Sequence, residues 1–426
     1  MMNPLKKLYC RAFQLAFRLA LPILPYREPK QLDGLDSIPP LLEEKGVPSV
    51  LLVTDGAVRS LGLTQPLEKA LASRSIRCAV YDGVVPNPTI QNVEEARRLY
   101  LEAGAKAIIA VGGGSAMDCA KGVGARIARP RKPVSKMKGL LKVLRPTPLT
   151  IAVPTTAGTG SEATLAAVIT DPEARHKYPI NDFALIPDYA VLDPAITLGL
   201  PPFITATTGM DALTHAIEAY IGQTTTKLTR AMSEEAARLI VKYLPRACAG
   251  GSDLEARRAM LRAAYCAGVS FTRSYVGYIH GLAHSLGGRY GVAHGLANAV
   301  ILPCFLEEYG PVCWEKLGRL AKAAGLARAE DGAEQSAKAF IAWIREANRT
   351  MGIPDSIPEI QVRDIPEMAR HAAQESNPLY PVPRLMDREE LEAVYLKLMP
   401  KEVTLWTSSP LSRPSAPISK PEQHSA

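Results

Sequence analysis

The sequence has little that would tie it to a membrane span, an oxidising compartment or nucleic acid. Its most apolar stretch near the start, "LKKLYCRAFQLAFRLALPILPY", is broken by Arg11 and Arg18, so it lacks the roughly 18 uncharged residues a transmembrane helix needs. No A-x-A site follows it, and the expectation is neither a span nor a cleaved secretory leader. Cysteines number seven, an odd total with no CxxC pair. That pattern suits a reducing cytoplasm rather than a disulfide framework. Aromatic residues make up only 6% of the chain. None interleaves the basic cluster Arg126, Arg129, Arg131, Lys132, Lys136, Lys138, Lys142 and Arg145, so a base would find nothing there to stack on. The net charge of +8 is therefore read as a solvated loop mildly attractive to anions, not as a nucleic-acid surface.

What is present is an ordinary soluble composition, 47% hydrophobic and 22% charged, over 426 residues, enough for two domains with sizeable cores. Residues 1–30 read as an amphipathic helical extension. Lys7, Arg11 and Arg18 share one helical face, with Leu8, Phe13, Phe17 and Leu21 mostly away from it. Such a helix docks on the protein's own body or a second subunit, or else on a membrane surface or larger assembly. Residues 404–426, "TSSPLSRPSAPISKPEQHSA" and the residues before it, are rich in Pro and Ser and read as a disordered tail.

Between these ends the texture changes once. From about residue 48 to 195, the short apolar runs "SVLLVTD", "RCAVYDG", "AKAIIAVGGGS", "PLTIAVPTT" and "YAVLDP" alternate with helical stretches. Alternation of this kind predicts a parallel sheet covered on both faces, a Rossmann-like α/β domain over 31–198. After "LGLPPF" the strand-like runs stop and Ala-rich helical segments continue, predicting an all-α domain over 199–403. Ligands in such sheets sit beyond the carboxyl ends of the strands, here in the cleft between the halves.

Two loops in the first half suit a nucleotide. "IIAVGGGSAMDCAK" runs a buried strand into Gly112, Gly113 and Gly114, then into a helix whose first turn holds Ser115 and Asp118. Glycines let backbone N–H groups approach a phosphate, and the helix N-terminus favours the anion. The pattern is neither G-x-G-x-x-G nor a Walker A motif, and a tight strand-to-helix turn would explain it too. "TIAVPTTAGTGSE" supplies Thr155, Thr156, Thr159 and Ser161 at a second strand end, where hydroxyls and glycines suit sugars and phosphates. Asp55, ending "VLLVTD", could accept hydrogen bonds from a ribose diol and repel a 2′-phosphate, favouring NAD over NADP. Helix capping is its other reading.

The second half carries a metal pattern. Four of only seven histidines, His215, His280, His284 and His294, fall within 80 residues. In "GMDALTHAIEAY", Asp211 and His215 stand i, i+4 with Cβ atoms about 6 Å apart, a natural bite for one cation. A continuous helix would separate His280 from His294 by about 21 Å. Gly287, Gly288 and Gly291 lie between them and can turn the chain back. Asp211, His215, His280 and His294 form an N₃O set suited to Fe²⁺ or Zn²⁺ with a position open for substrate. Glu218, on the same helix face, is an alternative ligand or an outer partner. His284 is better placed as a proton handler or nicotinamide contact than as a ligand.

"GGGSAMDCAK", "PTTAGTGSE", "GMDALTHAIEAY" and "HGLAHSLGG…HGLANAVILP", in this order, resemble the iron-containing (group III) alcohol dehydrogenases over roughly residues 30 to 400. The resemblance implies the dehydroquinate synthase-like architecture, a nucleotide-binding α/β domain followed by a helical metal-binding domain. It implies metal ligands at Asp211, His215, His280 and His294, and a histidine near the nicotinamide at His284. Gly113, Gly114 and Ser115 match the pyrophosphate loop, and Thr155, Thr156, Thr159 and Thr164 match the second cofactor loop. Lys177 matches a cofactor-contacting lysine, and Asp55 matches the acid associated with NAD preference. The implied reaction is reversible NAD(H)-dependent hydride transfer between a small alcohol and its aldehyde, in a homo-oligomer. Rivals on the same scaffold are a polyol dehydrogenase or lyase and a hydroxyacid–oxoacid transhydrogenase. A non-catalytic scaffold recruited through the N-terminal helix is a third.

Overall fold

The computed structural model describes residues 2–400 apart from 174 and 175, so the expected tail lies outside the described residues. Five apolar runs become strands where the sequence places them: β2 (Ser49–Asp55), β3 (Arg77–Val84), β4 (Ala107–Gly112), β6 (Leu149–Pro154) and β9 (Tyr189–Val191). A short β1 (Lys30–Leu32) completes a six-stranded sheet in the order β1-β9-β6-β4-β2-β3, parallel at every pairing.

The central strands are apolar throughout because both faces are covered. Along β2, Leu51 and Val53 enter one core while Val50 and Leu52 enter the other; β4 divides the same way, Ile108 and Ala110 against Ile109 and Val111. The two-residue period of a strand makes this division automatic. The carboxyl ends of β2, β4 and β6 lie side by side, Gly112 opposite Pro154, and deliver Asp55 and both suspected nucleotide loops to one edge. A small second sheet of β5 (Gly139–Leu140), β8 (His176–Asn181) and β7 (Ala166–Asp171), in that order, was not anticipated.

From Pro202 onward the described residues are helical or irregular. The helix Pro202–Ile221 is buried along almost its whole length, enclosed by Lys227–Ala249, Leu254–Ser274 and His294–Tyr309. The chain reverses between His280 and His294, as the spacing required, though one glycine suffices. Gly287 and Gly288 stay within the helix Tyr278–Tyr290; Gly291, at φ +72°, caps it in the left-handed region, and a new helix starts at His294.

The N-terminal helix Pro4–Ala20, capped by Asn3, packs one face on the helical half. Arg11 does not belong to its solvent-facing cations: the guanidinium turns inward and donates to the carbonyls of Val382 and Pro383, both at 2.8 Å. Gln14 is buried and donates to the Tyr380 carbonyl at 2.8 Å, and Phe17 meets Tyr275 edge-on. Among the described residues no helix is long and apolar enough to cross a membrane, and all seven cysteines are free thiols.

Candidate active site

Asp211 and His215 point from one turn of the Pro202–Ile221 helix, His280 comes from Tyr278–Tyr290, and His294 opens the following helix. Each offers one donor atom, and the four atoms lie within 4.8 Å of one another. His294 Nε2 is 3.5 Å and His280 Nε2 3.9 Å from Asp211 Oδ1. Burial depresses the basicity of all three imidazoles, His294 to about 4, so they are neutral donors near neutral pH. One carboxylate and three neutral imidazoles converging in a buried space fit a divalent transition-metal ion.

Glu218 is not in that cluster. Its Oε2 lies 2.6 Å from His280 Nδ1 and its Oε1 accepts the Ile279 N–H at 2.9 Å, which fixes the ring with Nε2 toward the cluster. Burial, against backbone donors at Gly277, Ile279 and His280, pushes the Glu218 carboxyl up to about 8. Asn298 was missed in the sequence. Its amide nitrogen lies 2.6 Å from Asp211 Oδ1, 3.1 Å from His294 Nε2 and 3.3 Å from His280 Nε2. The signal was its place one turn after His294 on the same helix face.

His284 is partly exposed and stacks on His294 with ring centroids 5.3 Å apart. Its Nδ1 is 2.6 Å from Glu375 Oε1, an oxygen that also accepts the Tyr380 hydroxyl at 2.6 Å. Burial pushes Glu375 upward, but the charge and hydrogen bond of His284 and the tyrosine outweigh it, holding the carboxyl below its usual value. With Nδ1 bound to a carboxylate, Nε2 is the atom left for other chemistry. Glu375, ninety-one residues away, carries no local sequence signal.

The two nucleotide-type loops face each other. A Cβ on Gly113 would stand 3.5 Å from Thr156 Oγ1, and one on Gly114 only 2.9 Å from Thr159 Cγ2. Ser115 sits in the first turn of the helix Gly114–Ala128, and the Thr155 N–H donates to the Gly112 carbonyl at 3.0 Å. Asp118 turns into the fold, accepting from Ser161 Oγ at 3.0 Å and the Val168 N–H at 3.1 Å. Beside it Lys121, absent from the sequence reading, is buried with Nζ within 3.0 Å of acceptors on Ser161, Thr164 and Ala166. Burial lowers it to about 8. Thr164 spends its hydroxyl on this lysine.

Asp55 serves as a helix cap after all: Oδ1 accepts from the Ala57 and Val58 N–H groups at 3.0 and 2.9 Å. Its other oxygen lies beside Gly112, so capping leaves one acceptor at the glycine loop. Lys177 Nζ donates to Asn87 Oδ1 at 2.6 Å, within reach of the Glu375 charge.

The second loop also touches the helical half. Gly160, at φ +58°, would bring a Cβ to 2.7 Å from the Ala264 carbonyl and Gly268 Cα, and a Cβ on Gly158 would stand 2.7 Å from Thr208 Cβ. Thr208 lies one turn before Asp211 on the same helix. The second loop therefore packs against the helix that carries Asp211 and His215, and the first loop packs against the second.

Residues 31–194 match the family model for iron-containing alcohol dehydrogenase, and residues 205–399 match the C-terminal model of the same family. The chain is 36% identical over 355 residues to 1,3-propanediol dehydrogenase of Klebsiella pneumoniae, covering 82% of this chain and 91% of that one. It is 34% identical over 343 residues to NAD-dependent methanol dehydrogenase of Bacillus methanolicus, covering 79% and 90%. Among solved structures, that of 1,3-propanediol oxidoreductase superposes with a TM-score of 0.84 at 34% identity, covering 88% of this chain and 99% of the other.

Proposed function

The chain belongs to the iron-containing alcohol dehydrogenase family, and from that premise we propose that it interconverts a small alcohol and its aldehyde with NAD(H) at a divalent metal. The observation that carries this reading is the convergence of four neutral or anionic donors within 4.8 Å, two of them on the helix against which the second glycine- and threonine-lined loop packs. Asp211, His215, His280 and His294 would hold Fe²⁺, with Zn²⁺ an acceptable substitute, while Glu218 and Asn298 orient them. Gly113, Gly114, Ser115, Thr155, Thr156 and Thr159 would receive the dinucleotide, with Asp118, Lys121 and Thr164 bracing the second loop and Lys177 and Asp55 at its margins. A relative whose name specifies NAD dependence supports the same cofactor here.

When bound, the metal supplies Lewis-acid polarisation of the substrate oxygen and the nicotinamide supplies or accepts the hydride. The protein's own share is placement, exclusion of water and proton handling. Loops of the sheet half and helices between Pro202 and Lys397 close the site from both sides. His284 Nε2 exchanges the proton of the substrate oxygen, directly or through one water, while Glu375 keeps the Nδ1 hydrogen in place and stabilises the imidazolium. The free thiols support a reducing, cytoplasmic setting, and the family premise supports a homo-oligomer.

The test is NADH oxidation with a panel of short aldehydes, using anaerobic protein reconstituted in turn with Fe²⁺ and Zn²⁺. The aldehydes that correspond to short alcohols and diols come first, because such alcohols are the substrates in the relatives' names. Metal-dependent turnover supports the reading and ranks the substrates. Silence with both metals, at measured stoichiometric loading, overturns it in favour of the polyol dehydrogenase or lyase, the transhydrogenase or the scaffold.

A further inference from the structure

The N-terminal helix Pro4–Ala20 precedes the first family match at residue 31, and only one of its faces is used by the fold. Leu5, Leu8, Tyr9, Leu15, Leu19 and, just past its end, Ile23 are between 55% and 83% exposed. Helical winding sets them in an arc of about 120°, running from Leu15 through Leu8, Leu19 and Leu5 to Tyr9. Isolated exposed leucines are ordinary on a protein surface; a continuous outward stripe along a whole helix is not.

Charge identifies what covers it. No acid occurs before Glu28, whereas Lys6, Lys7, Arg11, Arg18 and Arg27 all do. Arg18 and Lys7 border the apolar arc on its Leu15 side and Lys6 borders it on its Tyr9 side. At the helix's C-terminal end, Arg18 shares a polar cavity of about 200 Å³ with Arg230, Lys316 and Arg319. Lys316 is anchored there by donation to the Ile221 carbonyl at 3.1 Å and to that of Gly222. Burial and the surrounding arginines bring it down to about 8. The nearby acids are engaged on the rim, Glu315 with Arg319 at 3.3 Å and Glu234 with the Tyr220 hydroxyl at 2.7 Å.

We propose that the outer face of this helix docks on an anionic phospholipid surface, its leucines entering the acyl boundary while the Arg18 cavity receives a lipid phosphate. Interfacial helices combine these features, an apolar arc flanked by Lys and Arg with a tyrosine at the polar boundary. Pairing with a second copy would bring two wholly basic helices together with no acid to offset them. The arc is also wider than the narrow seam two paired helices share.

The test is sedimentation of the full-length protein with vesicles of phosphatidylcholine alone or in an equimolar mixture with phosphatidylglycerol, at low and high salt. The double variant Leu8→Glu/Leu15→Glu places charge on exposed positions and serves as control, its fold checked by circular dichroism. We expect the wild type to pellet with the mixed vesicles only, to be released by salt, and the variant to stay in the supernatant. The proposal is overturned if the wild type pellets with neither vesicle or equally with both. It is also overturned if light scattering shows the wild type losing mass on the double substitution, which would make the stripe a contact between copies. Because binding is read without turnover, this outcome is independent of the enzymatic assignment.

Discussion

Glu375→Gln keeps the size of the side chain that holds His284 but removes its charge. In the wild type, Glu375 Oε1 accepts from His284 Nδ1 and from the Tyr380 hydroxyl, both at 2.6 Å. A hydrogen bond to a charged group is worth about 1.5–3 kcal/mol. The two side chains are 31% and 35% exposed, so solvent screening brings the effect to the bottom of that range or just below it, about 1–2 kcal/mol. The charge matters most when the imidazole is protonated in transit, so the loss should fall on kcat. At 1.36 kcal/mol per decade this predicts a fall of about 5- to 30-fold, with KM for NADH and metal content unchanged. Steady-state kinetics on the metal-loaded variant, with metal measured by plasma emission, gives the answer. An unchanged kcat would refute the positioning role of Glu375. Loss of metal would show that His284 belongs to the ligand set.

Three further expectations follow from the geometry. His284→Ala should lower kcat by about 10²- to 10⁴-fold, the range for a general acid–base group, and leave bound metal stoichiometric on elemental analysis. Gly160→Ala forces a Cβ to 2.7 Å from the Ala264 carbonyl at positive φ; a loss of about 1–3 kcal/mol in denaturant melts is expected, and an unchanged midpoint would disprove that close approach. Glu162 is buried and raised from 4.5 to about 7, chiefly by desolvation and against Lys121. The folded chain then holds a proton that the unfolded chain releases, so stability falls as pH rises from about 4.5 to about 7. Glu162→Gln should remove that fall, on the order of 2–3 kcal/mol; melts showing the same slope in both proteins would count against it.

Legibility in the sequence followed the range of the interactions. The strands buried on both faces, β2, β4 and β6, announce themselves as apolar runs ending in Asp, Gly or Pro-Thr, since nothing else satisfies a covered parallel sheet. The small sheet of β5, β8 and β7 did not, because its residues alternate weakly and its β5–β8 pairing joins segments about forty residues apart. The four donors were readable because i, i+4 spacing is local and the His280–His294 interval demands a reversal. Glu218 was readable only as far as its helix face; whether it bound the ion or His280 depended on a helix sixty residues later. Lys121 left a usable sign, a lone lysine among the small residues of "AMDCAKGVGA". Glu375 and Tyr380 left none, since their partner lies in a different helix. Asp55 was undecided between cap and ribose acceptor, and its two oxygens turn out to face different ways.

The contact between Gly158 and Thr208 bears on redesign. The threonine- and glycine-rich turn rests without slack on the helix that carries Asp211 and His215, so the two halves of the site are not interchangeable modules. Larger side chains at 155–161 would press on the helix that carries Asp211 and His215, so under the proposed assignment a coenzyme change made there would trade against retention of the ion. Asp55 stands apart, on the far side of the glycine turn. Under the proposed assignment of Asp55 to the cofactor, a change of coenzyme preference alone has its independent handle at the end of β2, and directed libraries are better spent on that edge.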